Sequence, residues 1–168
     1  MIYRLPAVDE PLDQGDIIDQ CPVVRVTDFD LDQPNDKIHL ETVSNRVIIL
    51  TQTCDLANEK VTSITTAVVH DAQKLVDNRI LKPSDIRGPI RACRVWGWYF
   101  LPKNAALSLP ESIIDLRQLH TMRLDLLVAL CRRGQRRARL QPLYREHLGK
   151  HLADTYSRIG LPQPYDTD

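Results

Sequence analysis

The sequence predicts a mainly β protein with α structure, a small β-barrel followed by C-terminal helices. Two patterns along the chain predict it. As far as residue 121 the apolar residues fall in short runs or alternate at period two, punctuated by proline and glycine. From Leu124 onward they recur at helical spacing. A length of 168 residues with 43% hydrophobic and 26% charged side chains suits one globular domain able to bury its own core.

Taken in order, residues 1–14 carry Pro6, Pro11 and scattered acids and read as an irregular lead-in. Gly15-Asp16-Ile17-Ile18 opens the first strand, which continues through Cys21 to Val26. Asp28 to Lys37, with Gln33-Pro34-Asn35-Asp36, is a polar loop by composition, and Ile38 to Val43 then alternates. The aliphatic run Val47-Ile48-Ile49-Leu50 reads as a buried strand, entered by Arg46 and left through Thr51-Gln52-Thr53-Cys54-Asp55. Ser63 to Val69 is rich in β-branched residues, and a short helix is expected from Ala72 to Asn78. Trp96 to Leu101 and Ser112 to Leu116 are the late strands. Leu124, Leu127, Val128 and Cys131, then Leu140 through Ile159, line helix faces, with Pro142 suited to a first turn, Gly160 to a C-terminal cap and Pro162 to a stop. The barrel is thus expected over 15–121 and a helical extension packed on it over 122–168.

The formal net charge is zero, yet it is polarised along the chain. Residues 1–45 hold ten acidic against three basic groups, and residues 117–158 hold ten basic against three acidic ones. The two ends can pair with each other, or the basic end can serve a polyanion. Four cysteines with no Cys-x-x-Cys spacing predict reduced thiols and no structural zinc. No apolar run approaches the roughly 20 residues of a membrane helix, and the first residues lack a signal-peptide core, so a soluble cytoplasmic protein is expected.

The order Gly15-Asp16-Ile17, Arg46-Val47-Ile48-Ile49-Leu50, Thr65 to Gln73, and Ser112-Ile113-Ile114-Asp115-Leu116-Arg117-Gln118-Leu119-His120-Thr121 resembles the MazF/PemK family of bacterial toxin endoribonucleases. The resemblance covers residues 15–121 and implies an SH3-like barrel, single-stranded RNA as substrate, no cofactor, a homodimer and an antitoxin partner. It places Arg46 at the scissile phosphate. The family's proline after that arginine is Val47 here, and its assisting hydroxyl falls at His70 or Asp71. Histidine exchanges a proton near neutral pH and arginine holds a charged phosphorane through a planar fork, so this pairing implies metal-free phosphoryl transfer. Gln52 to Leu56, Tyr144 to Leu148 and Arg158 to Pro162 also resemble segments of uncharacterised small bacterial proteins, which ties the helical tail to the domain.

Other residues offer other chemistry. Arg46 can instead pair with an aspartate. Cys54 becomes a thiol nucleophile if His39, His70 or His120 comes within hydrogen-bond reach. His147 and His151, four apart, share a helix face, but both also fit its apolar stripe and read as core histidines, with no metal expected. Arg132, Arg133, Arg136, Arg137 and Arg139 crowd the stretch between two expected helices without interleaved aromatics. That composition suits phosphate backbone or an acidic protein partner rather than base stacking, or simply a solvated loop. The rival to a nuclease is a non-catalytic protein-binding module of a bacterial defence or regulatory system.

Overall fold

The computed structural model describes residues 1–30, 32, 38–58 and 61–157. The cap expected at Gly160, the stop at Pro162 and the polar turn Gln33 to Asp36 lie outside the described residues.

Seven strands form one antiparallel sheet: β1 (Tyr3–Arg4), β2 (Asp16–Asp28), β3 (His39–Ile49), β4 (Ser63–Asp71), β5 (Trp98–Leu101), β6 (Ser112–Arg123) and β7 (Arg136–Leu140), in the order β1-β7-β2-β3-β4-β6-β5. Among the described residues the α-helices are α1 (Thr53–Ala57), α2 (Ala72–Asp77), α3 (Pro83–Asp85, running into a π-helical turn Ile86–Ile90), α4 (Leu124–Arg132) and α5 (Tyr144–Tyr156). The ladder does not close into a barrel, because β1 and β5 remain edges. They nevertheless approach one another, since the Tyr3 hydroxyl donates to the carbonyl of Pro102, just past β5, at 2.8 Å. Burial raises the Tyr3 hydroxyl pKa far above its ordinary value, so it stays a donor.

That curvature follows from the side-chain pattern. One buried cluster draws Tyr3, Ile17, Ile48, Ala67, Val69, Tyr99, Ile114, Leu116, Ala138 and Leu140 from every strand, so the alternating inward set of each strand meets the others in a single interior. Helix α5 plugs it with fully buried Leu148, a burial worth about 1.5–3 kcal/mol. The opposite set, Ile18, Val23, Val47, Ile49, Ile64, Val68 and Met122, packs under α4 through Leu127, Leu130 and Cys131. Ile113 and Trp98 pack under α2 and the π turn through Leu75, Ile86 and Ile90.

The structure corrects the sequence reading at both ends. The lead-in contains β1, and the segment taken to be wholly helical contains β7, inserted between β1 and β2. The arginine-rich stretch is therefore not a loop between helices. Arg132 and Arg133 end α4 in solvent, Gly134 turns the chain at φ +75°, and Arg136 and Arg139 point inward from β7 at 8% and 4% exposure. Buried charge is tolerated because it is fully met. Asp16, wholly buried, accepts from Arg139 Nε at 2.6 Å and Nη2 at 2.8 Å, and from Arg136 Nη1 at 3.3 Å. Carbonyls of the lead-in take the remaining donors, Ala7 and Glu10 from Arg136 and Pro11 from Arg139. Glu10 bridges Arg4 and Arg139, and the Arg4 hydrogen bond holds its carboxyl down at about 2. Much of the polarised charge thus pairs within the chain.

Candidate functional site

Arg46 enters β3 on the same side as Ile48, facing the interior cluster. A bulge between Ile18 and Cys21, with Gln20 at φ +58°, turns Asp19 toward it. Asp19 accepts from Arg46 Nε at 2.5 Å and Nη2 at 3.2 Å, and from Arg137 Nε at 2.9 Å. Burial raises the Asp19 pKa, but these two guanidinium hydrogen bonds outweigh it and hold the carboxyl below its usual range. Arg46 and Arg137 are thereby committed to one internal carboxylate. His70 follows Val68 by two residues on β4 and so takes the other side of the sheet, under α4 and α2. The expected pairing of Arg46 with His70 on one phosphodiester is therefore not built. Asp71 is committed as well, capping α2 by accepting from the Gln73 amide at 2.8 Å.

Cys54 lies exposed on α1, its Sγ 3.7 Å from Gln52 Oε1 and 3.8 Å from Asp55 Oδ1. No histidine is among its hydrogen-bond partners in the described residues, so the thiol lacks the base that nucleophilic catalysis requires. It borders a cleft of about 750 Å³ between α1 and α5, edged by Gln14, Arg145 and Lys150. Burial pushes the Cys21 and Cys131 thiols up to about 12 and about 11 and raises Cys93. Alkylation of the native protein at pH 7.5 is accordingly expected to modify Cys54 first, with the other three cysteines labelled only after denaturation. Mass spectrometry that finds Cys21 or Cys131 modified as fast would contradict this burial.

Of the two helix histidines, His151 is a core residue as expected, whereas His147 is exposed. His147 Nδ1 lies 3.0 Å from the Tyr99 hydroxyl, and His151, 5% exposed, lies 3.1 Å from the Trp98 carbonyl and stacks on Trp96. No cluster of three metal-ligating side chains occurs among the described residues.

A second group of chemistry-bearing side chains gathers on the α4/α2 side of the sheet. His70 on β4 opposes Ile113, and His120 on β6 opposes Thr66. Between those registers Asp115 to Gln118 lie against the single residue Val68, so β6 bulges and presents Asp115 and Arg117. Arg117 donates to Asp115 through Nε and Nη2, both at 2.9 Å, and its guanidinium lies 3.9 Å over the Trp98 ring. Gly97, at φ +81°, permits this, because a Cβ there would come within 2.4 Å of Arg117 Cγ. Arg25, exposed on β2, adds its charge.

The same charges act on both histidines. Burial lowers the His70 pKa first, with Arg25 and Arg117 adding to the fall and Asp115 opposing it. Burial likewise lowers that of His120, with Arg25 adding and Asp115 opposing. Both imidazoles are therefore neutral at pH 7. Arg25 and the rings of His70 and His120 make no hydrogen bond or ion pair with any described residue, and His120 Nε2 is sealed from solvent with no partner. An unmet buried nitrogen costs about 1–3 kcal/mol, and functional sites are where such costs are carried. Of this group the sequence reading singled out His70 and His120. Arg25, Asp115 and Arg117 escaped because only the bulge of β6 and the reach of β2 bring them together. A scan against family models finds no matching family, and no curated protein matches the chain.

Proposed function

We propose that the protein binds and cleaves single-stranded RNA by metal-free phosphoryl transfer, on a small SH3-like barrel related to the MazF/PemK toxins, with the site at Arg25, His70, His120, Asp115 and Arg117. The observation that carries this is that one guanidinium and one carboxylate, Arg25 and Asp115, act electrostatically on both the His70 and the His120 imidazoles, neither of which is hydrogen-bonded. One neutral imidazole takes the proton of the 2′-hydroxyl as that oxygen attacks phosphorus. The other, arriving protonated, delivers its proton to the departing 5′-oxygen. Arg25 neutralises the phosphorane, and Asp115 fixes Arg117 and stabilises the imidazolium. The near-meeting of the two sheet edges at Tyr3 and Pro102 supports the barrel assignment.

Incubating labelled single-stranded RNA with the protein, with and without chelator, is the test. Cleavage that persists in chelator and falls about 100-fold or more in Arg25→Ala is the expected result. RNA left intact by the wild-type protein, or cleaved equally by that variant, overturns the assignment. A second reading, a non-catalytic protein-binding module, is favoured by the apolar outer face of the β2–β3 hairpin, and the exposed Arg132 and Arg133 suit an acidic partner such as an antitoxin.

A further inference from the structure

One block of the chain carries charge that nothing local cancels. Residues 72–103, from α2 through the π turn to the end of β5, hold seven basic groups against only Asp77 and Asp85, whereas the rest of the chain holds fifteen basic against twenty acidic ones. The block falls between the stretches that carry the MazF/PemK resemblance, which stop at Gln73 and resume at Ser112. All seven cations are exposed, and none makes an ion pair with a described residue. Its two acids serve the local backbone and side chains instead. Asp77 accepts from Gln73 Nε2 at 2.8 Å, and Asp85 accepts from the Lys82 amide at 3.2 Å. Just outside the block, Asp71 and Glu111 line a small groove with Arg87 without pairing to it.

These cations are firmly seated and border the histidine site. Ile86 and Ile90, 4% and 1% exposed, pin the π turn to Trp98 and Ile113. Arg87 and Arg91 each follow one of those isoleucines and so share the outer face of the turn. The Arg91 guanidinium lies 5.3 Å from the centre of the Phe100 ring, just as Arg117 covers Trp98 two residues earlier on β5. Ile113 pairs with His70 on one side and with Phe100 on the other. Arg91 therefore stands two strands from His70 on the same side of the sheet, roughly 10 Å away across it. Both rings are already covered by arginine, which leaves phosphate rather than a base as the natural contact.

We propose that this block is a phosphate-binding surface that carries the nucleic-acid strand to one side of the histidine site, gripping its backbone irrespective of sequence. The inference rests on the reading of that site as one that takes a phosphodiester. Continuity with such a site favours a single strand over an acidic peptide as the ligand. A strand laid across the block neutralises mutually repelling cations and sheds its own counterions. Its affinity then falls with salt by a slope of about 0.7 for each phosphate met.

Fluorescence anisotropy with a labelled oligothymidylate of about 16 nucleotides is the test, since a strand without 2′-hydroxyls is bound without being cut. Arg87→Gln with Arg91→Gln and Arg94→Gln is expected to reduce the slope of log affinity against log salt by about 2 and to leave the thermal melt in place, all three side chains being exposed. The same loss is expected on an oligoadenylate. An unchanged slope in the triple variant overturns the proposal, as does an equal loss when Arg132 and Arg133 are replaced by Gln instead. Polyglutamate that displaces the strand as readily as unlabelled strand does also overturns it, in favour of an acidic protein ligand. Binding is read apart from chemistry. A protein that shows the slope loss but leaves RNA intact keeps this surface and removes the nuclease, whereas one that cuts RNA while the triple variant keeps its slope removes this surface alone.

Discussion

Asp16→Asn is expected to destabilise the fold by about 3–5 kcal/mol, read as a fall in the denaturant midpoint with an unchanged slope. The substitution keeps shape, removes the charge and turns one of two accepting oxygens into a donor. What it strands is severe, because the Arg136 and Arg139 side chains are 4% and 5% exposed and both turn their guanidinium groups toward Asp16. Among the described residues, Glu10 and Asp13 then remain as the carboxylates near Arg139, and Arg136 keeps the carbonyls. The same physics predicts that removing all three charges together, in Asp16→Leu with Arg136→Met and Arg139→Met, recovers much of the loss, since an apolar replacement of a buried ion network is often close to neutral. Removing the solvent-exposed Arg123–Asp125 pair is the control and leaves the midpoint where it was. A wild-type midpoint for Asp16→Asn would mean that the two arginines escape to water, and that the lead-in is not held by them.

The strength of that network explains where the sequence could be read and where it could not. Strands β2, β3, β4 and β6 were legible because Ile17-Ile18, Val47 to Leu50, Ser63 to Val69 and Ser112 to Leu116 carry the β-branched and aliphatic signal of buried strands. The helix expected from Ala72 is there, capped by Asp71 and ending at Asp77. Strand β7 was not, because two of its four buried positions are Arg136 and Arg139 beside Ala138 and Leu140. Those charges are buried only because Asp16 and the lead-in carbonyls lie opposite, a long-range fact that local pattern does not encode. Leu140 then reads as the first member of a helical stripe when it is in truth the last residue of a strand. Arg46 failed as a site residue for the same kind of reason. Its position on β3 was clear, but its commitment to Asp19 depends on a bulge at Gln20. His70 and His120 were visible as titratable side chains. Their common neighbours Arg25 and Asp115 were not, since the register shift between Ala67 and Val69 makes that neighbourhood.

His70→Ala and His120→Ala are each expected to lower RNA cleavage by about 10²–10⁴-fold, and the pH dependence assigns their roles. Burial lowers the pKa of both rings from 6.5, so the proton-accepting form of one and the proton-donating form of the other coexist best on the acid side of that value. The wild-type rate is therefore expected to peak below pH 6.5 and decline toward pH 8, and each single substitution removes one limb of the bell. Stability runs the opposite way. The unfolded chain takes up protons near 6.5 while the folded histidines resist them until a lower pH, so their contribution is complete above 6.5 and is lost as pH falls through the folded values. His151, lowered by its own burial, adds to the same acid sensitivity without touching the rate. Arg46→Ala separates scaffold from chemistry, since losing its contact with Asp19 is expected to lower the melting temperature while leaving cleavage intact. A rate that climbs steadily past pH 8, or that survives both histidine substitutions, sinks the assignment. Loss of cleavage in a stably folded Arg46→Ala protein moves the phosphate contact back to β3.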